Sequence, residues 1–102
     1  MSNLTDLAEK EIIRREILTL CNTAVPVGCS AQVLKNSLNK MGHDVTEQDV
    51  IRQVTYLKEK ELIKTDEVKN TVLGIYRVVA HITAAGIDYL EGNAERVTGI
   101  SE

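Results

Sequence analysis

Gln48, Arg52, Thr55 and Tyr56 lie within residues 48–56, and their side chains are of the types that recognise duplex DNA. The Arg52 guanidinium can pair with guanine N7 and O6, and the Gln48 amide with adenine, because each offers two parallel hydrogen bonds. Thr55 and Tyr56 carry hydroxyls suited to phosphate contacts. Lys35, Lys40, Lys64 and Lys69 flank the group and would add contacts to the nucleic-acid backbone.

These side chains act together only if one element presents them on one surface. At about 100° per residue, Val50, Val54 and Leu57 define the inner side of a helix. Gln48, Arg52, Thr55, Tyr56 and Glu59 then occupy the opposite side. Thr46 is the expected cap, Glu47 and Asp49 suit the positive end, and Val45 packs back as a staple. A shorter helix precedes it, capped by Ser30, with Ala31, Leu34, Leu38 and Met41 inward and Lys35, Asn39 and Lys40 outward. Gly42 supplies the left-handed residue that ends that helix, and His43 is expected to be an exposed turn residue. Residues 30–61 therefore spell two amphipathic helices joined by a turn.

The flanking elements follow the same logic. The first helix should start near Asn3 to Thr5 and stop before Pro26. Ile13, Ile17, Leu20, Cys21 and Ala24 form its buried stripe. Leu4, Ala8 and Ile12 form a second apolar stripe that needs cover, from the C-terminal segment or from a second copy in a homodimer. Val27–Cys29 reads as a short strand. Past Glu61, Leu62–Thr65 and Val72–Val79 are rich in β-branched residues, and the polar residues 66–71 between them complete a hairpin. Thr83 caps a last short helix over Ala84–Glu91, with Ile87 and Leu90 inward and Gly92 as its stop. Residues 1–92 thus form a single domain and residues 93–102 a loose C-terminal tail. Tyr76 and Tyr89 are expected as core or interface fillers, and His81 as an edge-strand residue.

Composition narrows the function without deciding it. The net charge is −3, whereas nucleic-acid binders usually carry a basic excess. Residues 30–61 hold five basic and five acidic residues, and Glu47 and Asp49 would meet phosphates at the leading end of the helix. The outward face therefore reads either as a groove reader or as a protein-contact surface. Catalysis is not expected, because no phosphate-binding glycine loop, nucleophile elbow or His–Glu helix pair occurs. No metal or other cofactor is expected either. Two cysteines, Cys21 and Cys29, in apolar surroundings read as buried thiols. The start Met1–Asp6 lacks a basic, apolar leader, and no apolar run would span a bilayer, so a cytoplasmic protein without membrane contact is expected.

The run Val50-x-x-x-Val54-x-x-Leu57-x-x-x-x-Leu62-Ile63 resembles the third helix and first wing strand of winged helix–turn–helix regulators. Ile82-Thr83-Ala84-Ala85-Gly86-Ile87-Asp88-Tyr89-Leu90 resembles the "Leu-Thr-x-x-Gly" start of the helix after the wing in that family, where Gly86 would permit close approach to the sheet. The length and the ending Gly92–Ile100 are similar to small winged-helix proteins of Mu-like phages and prophages. The resemblance implies an α+β, mainly helical fold: a three-helix core, a β-hairpin wing and a short C-terminal helix. It implies double-stranded DNA binding by a phage-encoded transcriptional regulator or accessory factor, located in the bacterial host cytoplasm. An adaptor in phage assembly or DNA packaging, bound to a phage protein partner, is the alternative. One departure stands out: Glu61 occupies the place of a common glycine, implying a longer or mildly strained end to the helix.

Overall fold

Three hydroxyls set three helix starts. Ser30 Oγ accepts the Val33 N–H at 3.2 Å, Thr46 Oγ1 the Asp49 N–H at 3.1 Å, and Thr83 Oγ1 the Gly86 N–H at 3.1 Å. Each such cap is worth about 1 kcal/mol. In the computed structural model, which describes residues 7–92, the elements run α1 (Leu7–Thr23), β1 (Cys29–Ser30), α2 (Ala31–Lys40), α3 (Glu47–Glu59), β2 (Ile63–Asn70), β3 (Ile75–Ile82) and α4 (Ala84–Leu90). The described chain is therefore α+β, with four helices and one three-stranded antiparallel sheet of order β1-β3-β2.

The core lies between the helices and one face of the sheet. Ile13, Ile17, Leu18 and Cys21 of α1 meet Ala31, Leu34 and Leu38 of α2 and Val50, Val54 and Leu57 of α3. Leu62, Ile63, Ala80, Ile82 and Tyr89 complete it. Strand alternation then assigns the faces: Ile63, Ala80 and Ile82 are buried, while Lys64, Asp66 and Arg77 are not.

Several expected positions are shifted. Leu18 is fully buried, whereas Leu20 and Ala24 pack only partly against the core. Met41, expected inward, is 50% exposed because it caps α2 and Gly42 (φ +99) then swings the chain away. Gly86 and Tyr89 are the buried residues of α4, and Ile87 and Leu90 are at its margin. The hairpin turn spans residues 71–74 instead of 66–71, since Asp66 through Asn70 ladder onto Val79 through Ile75. Charged residues tolerate that edge strand because their side chains remain in water while the backbone pairs. The expected helix start near Asn3 to Thr5, the Leu4 position and the 93–102 tail lie outside the described residues.

The junction after α3 depends on two unusual residues. Glu61 sits at φ +64, and the Leu62 N–H reaches back to the Leu57 carbonyl at 3.1 Å, which ends α3 with a left-handed residue that is not glycine. That conformation costs a non-glycine residue about 1 kcal/mol. Immediately above it, a Cβ on Gly86 would lie 2.5 Å from the Leu62 carbonyl oxygen and 2.7 Å from Ile82 Cγ1. Only glycine lets α4 close on this junction.

Both histidines face a carboxylate. His43 is not exposed: its Nε2 lies 2.9 Å from Glu16 Oε2, tying the α2–α3 turn to α1. His81 lies on the central strand, not an edge, with Nε2 3.1 Å from Asp66 Oδ2. Tyr76, expected as a filler, is 56% exposed.

Cys21 and Cys29 are free and buried. Burial, reinforced by the neighbouring Cys29, pushes the Cys21 thiol up to about 12, and burial raises Cys29 as well. A thiol raised in the folded state favours folding while the unfolded thiol is protonated. That contribution is lost as pH climbs from about 9, the ordinary thiol value, towards 12. We expect Ellman's reagent at pH 8 to label Cys21 only after denaturant is added. Rapid labelling of native protein would show that α1 opens at this end. Among the described residues no helix is long and apolar enough to cross a membrane.

Candidate nucleic-acid interface

The outward face of α3 is built by its inward one. With Val50, Val54 and Leu57 buried, helical geometry turns Gln48, Arg52 and Thr55 into solvent, and all three are exposed. The Arg52 side chain is 72% exposed, with Nη1 3.4 Å from Asp49 Oδ1. Thr55 Oγ1 donates to the Ile51 carbonyl at 2.8 Å, so its oxygen remains able to accept.

Asp49 does not stand as an open acid at the tip of the helix. It closes a capping box: Oδ2 accepts the Thr46 N–H at 2.9 Å, and its side chain is only 12% exposed. Its charge is thus shared between a backbone donor and Arg52. Glu47 remains exposed on the first turn. The exposed α3 surface carries Glu47, Arg52, Lys58 and Glu59 and is therefore close to electroneutral.

Tyr56 does not join the outward group. It is half-buried against the core, with the Arg14 guanidinium carbon 3.7 Å from its ring centroid and Lys60 Nζ at 5.5 Å. Arg14 is itself buried, and its Nε donates to the buried Gln53 Oε1 at 2.8 Å. On an isolated wheel Tyr56 falls at the margin of the exposed arc; α1 covers that margin. Neither Arg14 nor Gln53 is recognisable as core from residue type, since charged and amide side chains rarely reach that burial.

The lysines divide among different surfaces. Lys40 is exposed at the end of α2, and Lys35 is half-buried along it. Lys69 pairs across the hairpin with Tyr76, on the face shared with Ile63, Ala80 and Ile82. Its Nζ lies 3.4 Å from Glu67 Oε2, and Tyr76 Oη donates to Glu67 Oε1 at 3.2 Å. Lys64 lies on the other face, opposite His81, and lines a groove of about 210 Å³ with Cys21, Val25, Pro26 and Gly28. It does not share a face with Lys69. Arg77 was not singled out by its sequence context, yet it lines a small cleft with Gln32, Glu47 and Tyr76, where the hairpin meets the first turns of α2 and α3.

On α1, Ala8 is exposed and Ile12 is 44% exposed. Ile12 lines a groove of about 270 Å³ with Arg15, Glu16, Thr19 and Met41. At the hairpin tip, Val72 is 92% and Leu73 68% exposed. The turn that carries them is ordered by the Leu73 N–H donating to Asn70 Oδ1 at 3.0 Å and by Gly74 at φ +68. No group of three or more His, Cys, Asp or Glu among the described residues is arranged to hold a metal ion.

No protein-family model matches this chain, and neither the curated proteins nor the solved structures yield a match.

Proposed function

We propose that this chain is a winged helix–turn–helix protein of Mu-like phage or prophage type that binds duplex DNA as a small regulator or accessory factor. In this reading α3 enters the major groove, with Arg52 on guanine and Gln48 on adenine. Thr55, Lys40 and Lys69 contact phosphates, and Lys35 contributes from the flank of α2. The observation that carries the reading is the joint exposure of Gln48 and Arg52 on the side of α3 opposite its buried valines, next to a protruding hairpin. Sequestering Asp49 in the capping box removes part of the repulsion that the acidic first turn would otherwise offer to phosphate. A homodimer through Ala8 and Ile12 would double the number of cations on one duplex.

Amide shifts on titration with a 20-bp duplex test this reading. Shifts should cluster on Gln48, Arg52, Thr55 and Lys69 at ~50 mM salt and shrink at ~200 mM, because each neutralised phosphate releases counterions. A silent α3 at low salt sinks it. One observation favours a second reading, a protein adaptor in phage assembly or packaging. Residues 70–76 at the hairpin tip carry no charge, yet they hold Val72 and Leu73 in water. Apolar groups held out in this way are a feature of protein contacts.

A further inference from the structure

We infer that Asp49 is a positioning residue for Arg52, setting base discrimination against non-specific phosphate binding. The inference rests on the DNA-binding reading above and names the device that would give it sequence preference.

A guanidinium on an exposed helix face samples many rotamers and binds any phosphate that approaches. Here one of its nitrogens is engaged at 3.4 Å by a carboxylate that cannot itself move freely. Asp49 is anchored through Oδ2 to the Thr46 N–H at 2.9 Å, its own N–H is held by Thr46 Oγ1 at 3.1 Å, and its side chain is 12% exposed. The chain of contacts runs from the cap to the carboxylate to the guanidinium. The Arg52 side chain is 72% exposed, which leaves its other N–H donors in water, and two of them fit the N7 and O6 acceptors of guanine.

The charge effect points the same way. With an anion 3.4 Å away, Arg52 is a poor counter-charge for a phosphate, which is recognised mainly by net charge. Guanine is recognised by donor geometry, which the pair preserves. Asp49 therefore weakens the indiscriminate contact more than the specific one.

Asp49→Asn separates these effects, because an Asn side-chain oxygen can still accept the Thr46 N–H while the negative charge is gone. The test uses the full chain, a duplex selected from a randomised pool, the same duplex with its guanines replaced by 7-deazaguanine, and an unrelated duplex. The expected result has opposite signs. Affinity for the unrelated duplex rises with a steeper salt dependence, and preference for the selected duplex over its 7-deaza form falls about twofold, the bias that a few tenths of a kcal/mol in Arg52 placement can impose. In an Arg52→Ala background the same Asp49→Asn change should leave discrimination where it is. Parallel loss on every duplex would mean that Asp49 only supports the helix, and unchanged discrimination would remove its positioning role; either overturns the inference. Wild-type protein that binds no duplex overturns the DNA-binding reading and this inference with it.

Discussion

Arg52→Ala lowers affinity for a selected duplex about 10- to 100-fold, the loss expected for one bidentate base contact worth roughly 1–3 kcal/mol. Affinity for unrelated DNA falls only a few-fold, because one cation is removed and the Asp49 carboxylate 3.4 Å away loses its counter-ion. The fold is expected to be indifferent. The Arg52 side chain is 72% exposed, and its pairing with Asp49 at i,i+3 contributes at most a few tenths of a kcal/mol. Anisotropy on both duplexes, with thermal unfolding alongside, checks this. Equal loss on both duplexes would assign Arg52 to the phosphates. No loss on either would remove α3 as the reader and move attention to the hairpin tip.

Arg14→Ala destabilises the fold by about 3 kcal/mol, close to the cost of leaving a buried amide oxygen unpaired and uncovering an aromatic face. Its Nε is bonded to the buried Gln53 Oε1 at 2.8 Å, and its guanidinium lies 3.7 Å from the Tyr56 ring centroid. Both partners belong to α3, so one α1 side chain fixes how α3 is seated. Urea denaturation measures the loss, and Arg14→Lys should recover only part of it, since an ammonium lacks the planar face that stacks on tyrosine. A loss below about 1 kcal/mol, the range of a surface substitution, would show that apolar packing alone seats α3.

The elements and their starts were legible in the residues because the forces that make them are local. Ser30, Thr46 and Thr83 each cap an N–H three residues on, so cap and partner are read together. The same holds for the 3.6-residue spacing of Val50, Val54 and Leu57 and for the left-handed stop at Gly42. Glu61 in place of glycine also signalled its own strain, and it sits at φ +64. The hairpin was foreseeable, but its turn was not. Asp66 to Asn70 look like a loop by composition and become a strand only because Val79 to Ile75 offer them a ladder.

The surface available for recognition was harder to read. Gln48, Arg52 and Thr55 were placed correctly by periodicity, because they lie near the centre of the exposed arc. Tyr56 was not, since a residue at the edge of the arc is exposed or covered according to where the neighbouring helix crosses. The lysines gave no indication of their sides: Lys64 and Lys69 both lie on β2, yet strand parity sends them to opposite faces.

From its residues alone, this protein has its helices, their caps, its hairpin and the outward arc of α3, all consequences of contacts within a few positions of the chain. Tertiary structure decided the pairing of Arg14 with Gln53 and Tyr56, the approach of His43 to Glu16 and the cleft that Arg77 and Glu47 both line. Those contacts span long separations in sequence. Only helix crossing and strand pairing bring such groups together.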